Sequence, residues 1–113
     1  MQVSLDQLRT ILKSTNIPVY REYAPESQDY PYIIYEFVNE TYSRASDKVL
    51  VESPLYQISY ITKGIEKELS VVKQALNQAG IVYESFSSGR FDENDETITQ
   101  FNTFVRCVHD GES

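Results

Sequence analysis

The chain has 113 residues, with 10 Lys plus Arg against 17 Asp plus Glu, a formal net charge of −7 at pH 7. That length suits one domain with one modest core, and 41% apolar with 24% charged residues excludes a wholly disordered chain. The acidic balance disfavours any general or specific nucleic-acid-binding role, and one Cys with one His excludes an internal disulfide and the common zinc sets.

No apolar run is long enough to span a bilayer. The opening MQVSLDQLRT lacks the basic-then-apolar order of a signal peptide. The expectation is a chain made in a reducing cytoplasm, with no membrane partner.

The N-terminal segment reads as a helix. Leu5, Leu8, Ile11 and Leu12 recur at helical spacing and form a stripe that needs a core. Ser4 with Gln7 fits a capping box. The helix should stop near Thr15-Asn16, because Ile17 precedes Pro18 and is pushed to an extended conformation. Val19-Tyr20-Arg21 is a short extended stretch, and Ala24 to Asp29 carries polar turn chemistry.

Pro31 to Glu40, PYIIYEFVNE, is the first predicted strand, rich in β-branched and aromatic residues. Ile33, Tyr35 and Phe37 share one face; Tyr32, Ile34, Glu36 and Val38 share the other. Thr41 to Pro54 is polar and then turns apolar at Val49-Leu50-Val51, and reads as a long protruding loop or hairpin tip. Leu55 to Thr62 is the second strand.

A second helix is expected from Ile65, Leu69, Val72 and Leu76, which form one apolar stripe. Glu66 and Glu68 suit its positive end, and Gly80 is placed to close it in the left-handed conformation. Ile81 to Phe86 reads as the third strand and Ser87-Ser88-Gly89 as a turn. Arg90 to Glu96 carries the acidic run, Thr97 to Val108 is a long fourth strand, and His109 to Ser113 is a polar tail. The order α-β-β-α-β-β over a single domain, 1–113, predicts an α+β fold. Its sheet is four-stranded and largely antiparallel, with both helices on one face.

Catalytic chemistry finds no support. His109 sits in a tail, where the rigid shell of a triad is lacking. Cys107 lies on an apolar face and reads as a small core residue. The four glycines are scattered and build no phosphate loop. Asp92, Glu93, Asp95 and Glu96 lack the spacing of an EF-hand loop and read as a solvated hairpin. Catalytic, metal and cofactor sites are therefore all expected to be none.

Nine Tyr against no Trp is the main compositional oddity. Tyr pairs an apolar body with a polar tip and suits surfaces buried on assembly, so the surplus points to a second interface on the sheet or its edge. The segment from Thr41 to Pro54 adds an apolar trio to Arg44, Asp47, Lys48 and Glu52. A mere connector would not need it. Arg44, Asp47, Lys48, Val49 and Val51 are the candidate contact residues.

The pieces IPVYREY, PYIIYEF, ASDKVLVESPLYQISYITK, EKELSVVKQALNQAGI and RFDENDET, in that order, resemble the tail terminator, or tail-completion, proteins of long-tailed bacteriophages and prophages. The minor tail protein U-like and tail-to-head joining proteins belong to that family. The resemblance spans nearly the whole chain on diffuse motifs. It implies a non-enzymatic structural subunit of a ring, commonly a hexamer, at the tail–head junction of a virion. Its partners would be further copies of itself, the tail-tube protein and the head–tail connector. Asp92, Glu93, Asp95 and Glu96 would then make an acidic lumen or surface that keeps passing DNA from sticking. The rival reading is an acidic DNA mimic that inhibits a nucleic-acid enzyme.

Overall fold

The computed structural model describes residues 3–45, 49–92 and 95–108, of which 41–45, 49–52, 90–92 and 95–97 are described as backbone only. Two helices, α1 (Leu5–Lys13) and α2 (Ser70–Gln78), join a five-stranded sheet. Its strands are β1 (Val19–Arg21), β2 (Tyr32–Ala45), β3 (Val49–Thr62), β4 (Ser87–Asp92) and β5 (Asp95–Arg106). They lie in the order β1-β2-β3-β5-β4. The α+β class is as expected, but the sheet has five strands and not four. The short extended stretch at Val19–Arg21 pairs in parallel with Ile33–Tyr35 and becomes an edge strand; the other strand pairs of the sheet are antiparallel.

α1 forms for the reasons its sequence supplies. The Ser4 hydroxyl accepts from the Gln7 N–H and the Gln7 side chain accepts from the Ser4 N–H, which satisfies two otherwise orphaned donors. The helix closes through Ser14, and Asn16 takes a left-handed φ of 65°. Gly80 does the same after α2, with φ 72°.

The helix-facing side of the sheet holds the main core. Ile33 and Tyr35 of β2, Tyr56, Ile58 and Tyr60 of β3, and Phe101 and Val105 of β5 are buried against Leu8, Leu12, Leu69, Val72 and Leu76. Both helices therefore cover one face. Cys107 lies just past β5, is 1% exposed, and belongs to this core. Among the described residues no helix is long and apolar enough to cross a membrane.

Two expectations about element limits are corrected. The second helix starts later than its apolar stripe suggests: Glu66–Leu69 is a 3-10 turn that feeds α2. Ile65 stands before it in an extended conformation and is 62% exposed, so it is not core. The third strand is also displaced. Residues 81–86 form no strand, and the ladder to β5 runs from Ser87 to Asp92, through the predicted turn. The apolar residues at 81–86 still serve the core: Ile81 is buried and Tyr83 and Phe86 pack on it, while Val82 is exposed. The segment is an extended connector that meets β5 through Glu84 and its neighbours, with the Glu84 N–H donating to Phe104 C=O at 3.2 Å.

Candidate assembly surface

The longest feature of the molecule is a hairpin arm. β3 pairs with β5 only as far as Leu55↔Arg106, while its pairing with β2 continues to Ala45↔Val49. Thr41 to Pro54 is therefore hairpin, the second of its two sequence readings. Both strands run beyond the body for about seven residues, or about 20 Å at strand rise. The long axis is 51 Å and the radius of gyration 15.2 Å, against about 13 Å for a compact chain of this length. A bulge at Val38, between the pairs Phe37↔Tyr56 and Asn39↔Leu55, marks the root of the arm. The base is braced from the C-terminal side: Cys107 N–H donates to Pro54 C=O at 2.8 Å, and Arg106 donates to Ser53 C=O at 2.9 Å.

Of the predicted contact residues, Arg44, Val49 and Val51 fall on this arm. Arg44 is the register partner of Leu50, and Val49 and Val51 are the partners of Ala45 and Ser43. Asp47 and Lys48 lie outside the described residues, as do Glu93 and His109. The acidic residues mark a second hairpin at the far end of the sheet. Asp92 ends β4, Asp95 opens β5, and the two are register partners, with Glu96 next in β5. This hairpin and the arm point away from opposite ends of β5.

The other sheet face corrects the expectation of a sticky, uncovered surface. Its apolar part, Tyr32, Ile34, Ile61 and Ile98, is buried, with Tyr20, Ala24 and Tyr30 packed on it. The Tyr20 hydroxyl donates to Gln28 of the covering segment, and the Lys63 ammonium sits 5.4 Å from the Tyr30 ring centre. Burial, with Tyr30 alongside, raises the Tyr32 pKa. Beside this patch lies an uncharged amide strip. Asn102 Oδ1 accepts from Gln57 at 3.2 Å, Ser59 at 2.8 Å and Gln100 at 2.7 Å. Most tyrosines are thus packing residues. The exposed apolar side chains near the β1–β2 edge are Tyr23, Phe37 and Val38, at 78%, 49% and 41%.

A polar clamp ties β3 to the turn before α2, and nothing in the sequence pattern announced it. Tyr60 and Thr62 hydroxyls donate to Glu68 Oε1 at 3.0 and 2.8 Å, and the Gly64 N–H donates to the Thr62 hydroxyl at 2.9 Å. A Cβ on Gly64 would collide with the Glu68 carboxylate. Gly64→Ala should therefore displace that carboxylate and forfeit its hydrogen bonds. The expected loss is about 1–2 kcal/mol, read as a fall in Tm of about 4–8 °C by circular dichroism.

Tyr60 is buried, and that burial, reinforced by its bond to Glu68 and the carboxylate charge, raises its pKa well above the ordinary 10. A raised folded-state pKa means that the native state holds this proton more tightly than the unfolded chain. The associated stability is whole below pH 10 and declines as pH rises beyond it. Tyr60→Phe should flatten the fall in urea midpoint above pH 10, relative to the parent protein.

An open cleft of about 680 Å³ lies between α2 and the connector, lined by Leu69, Lys73, Tyr83, Phe86 and Phe101 among others. Its lining is mixed, with Glu66, Ser85 and Ser88 beside the aromatic rings, and the Lys73 ammonium lies 5.9 Å from the Phe86 ring centre. Among the described residues no group of three His, Cys, Asp or Glu side chains is arranged to hold a metal ion.

No protein-family profile and no curated protein matches this chain. Among solved structures, the chain is similar to a chain of the "Virion of native gene transfer agent (GTA) particle". The TM-score is 0.59 at 17% identity, covering 91% of this chain and 88% of that one. At that identity the likeness is one of fold.

Proposed function

We propose that this chain is a structural subunit of a phage-type virion, and more narrowly a ring-forming cap that ends the tail tube and offers the surface to which the head joins. The observation that supports it most is the fold likeness to a chain of a phage-like gene transfer particle, which extends over nearly the full length of both chains. The finer reading comes from the tail-terminator resemblance of the sequence and from the arm. A two-stranded ribbon is marginal alone in water, so an arm of this length is suited to docking on a neighbour. The partners would be further copies, in a hexamer by resemblance, then the tail-tube protein and the head–tail connector, at the tail–head junction. A DNA mimic would instead spread its carboxylates in rows, whereas Asp92, Asp95 and Glu96 are grouped at one hairpin.

The test is microscopy of particles from the source cells with gold-labelled antibody to this chain, together with particles lacking the chain. Label at one end of each tail, and irregular headless tails in its absence, are expected. Label elsewhere, or normal particles without the chain, would overturn the reading. A non-enzymatic role also predicts that Cys107→Ser keeps full particle yield. It should lose only about 1 kcal/mol of stability, since the buried thiol acts as a small apolar group.

A further inference from the structure

β4 is an edge strand of the sheet, and no described atom of the protomer fills the space beside Gly89 in its middle. Gly89 stands in the ladder opposite Gln100, in regular register two residues before the irregularity at Phe91. Its φ is not left-handed; among the described glycines only Gly80 has a positive φ. A Cβ built on Gly89 meets nothing within 4 Å. Glycine inside a strand costs roughly 0.5–1 kcal/mol, and where no bulge or turn requires it, it marks the close approach of another backbone.

The opposite margin of the sheet has a matching vacancy in its backbone ladder. β1 pairs with β2 only at Ile33–Tyr35. Ile33 N–H donates outward to Pro18 C=O at 2.8 Å, and Tyr35 C=O accepts from Glu22 N–H at 2.9 Å. The next outward groups in this alternation belong to Phe37. The chain does not continue to meet them, because Glu22 adopts φ 68°, an unfavourable value for a residue with a side chain, and turns away. Tyr23, Phe37 and Val38 stand exposed around that departure point.

We propose that these two edges are the halves of one interface between copies of this chain. The β4 edge of one protomer, centred on Ser88-Gly89, adds to the β2 edge beyond Tyr35 of the next. Main-chain hydrogen bonds supply affinity, and glycine leaves room for the Tyr23 and Phe37 rings, as aromatic residues are known to cover edge glycines. A second copy is the occupant because one sheet carries both halves on opposite margins; each edge is interrupted by one bulge, and neither 36–45 nor 87–92 contains Pro, which would remove a ladder donor. The contact is head-to-tail, so repeated copies close into a ring or extend. The proposal deepens the ring reading above and rests on it for its use.

The test is sedimentation velocity with thermal melting by circular dichroism. The parent chain should associate with rising concentration. Gly89→Val should keep or raise Tm, because the space is open and Val favours strands, yet weaken association about tenfold or more. Val38→Lys should do the same from the other edge. Each variant retains one intact edge, so an equal mixture should form dimers and go no further. A Gly89→Val chain that associates like the parent overturns the proposal, as does a parent chain that stays monomeric at every concentration, or a mixture that forms no dimers. A monomeric parent that still labels tail ends would sink this interface and leave the virion reading standing; label elsewhere with the edges confirmed would do the reverse.

Discussion

Replacing Val72 with Asp is expected to unfold the domain. Val72 is fully buried, in the middle of α2, with Leu69 and Leu76 on either side and the helix-facing strands beneath. An aspartate there would strand a carboxylate in apolar surroundings. Among the described residues the buried side-chain polar atoms of this structure are all hydrogen-bonded, so the core has no spare donor waiting for it. Burying a charge without a partner costs several kcal/mol, and the lost valine contact adds about 1–2 kcal/mol more. A domain of this size has about 5–15 kcal/mol in all. Far-ultraviolet circular dichroism of Val72→Asp should show an unfolded or molten chain at room temperature. Val71→Asp is the control: Val71 is 45% exposed on the same helix and its substitution should leave Tm within a few degrees. A Val72→Asp protein that melts with the parent would mean that α2 does not pack as described.

The second large effect is functional. The double variant Val49→Ser, Val51→Ser alters the arm, where both residues lie in the β2–β3 ladder beyond the body of the sheet. The core residues that β3 contributes, Tyr56, Ile58 and Tyr60, lie five or more positions further along the strand. The monomer should therefore fold with Tm changed by only a few degrees. If the arm docks on a neighbouring subunit or on the tube, the apolar pair is its anchor. Interface anchors of this kind carry a disproportionate share of binding energy, and serine removes most of the apolar area. Negative-stain microscopy of tails assembled with the variant should show irregular lengths and missing heads. Tails of uniform length that still join heads would refute a docking role for the arm.

Particular residues show how far the sequence could be read. The α1 boundaries were legible because its signals are local: the Ser4–Gln7 box, the apolar stripe and Pro18 act within a few residues. The burial of Leu8, Leu12, Leu69, Val72 and Leu76 followed from helical periodicity, whereas Ile65 of the same stripe is exposed. The third strand was misplaced for an equally definite reason. Residues 81–86 have the better strand composition, but a strand exists only where a neighbour offers a ladder, and β5 pairs with Ser-Ser-Gly-Arg instead. Tertiary pairing overrides propensity there. β1 was missed as a strand because its three residues gain their ladder only from β2, in parallel.

Of the candidate surface, the sequence marked the Thr41–Pro54 segment through its apolar trio, and the acidic hairpin through its charge run. It could not show that the first is a projecting arm and the second its counterpart at the other end, since both facts depend on where β3 stops pairing with β5. The cover of Tyr20, Ala24 and Tyr30 over Tyr32 and Ile61, the Tyr60–Glu68 clamp and the free strand edges near Phe37 and Gly89 were likewise invisible. Class, charge and the helical core positions were determined by the sequence itself, because composition and short-range periodicity act locally along the chain. Strand order, the arm and the unmatched edges were decided only by the tertiary structure, because hydrogen-bond ladders join residues far apart in sequence.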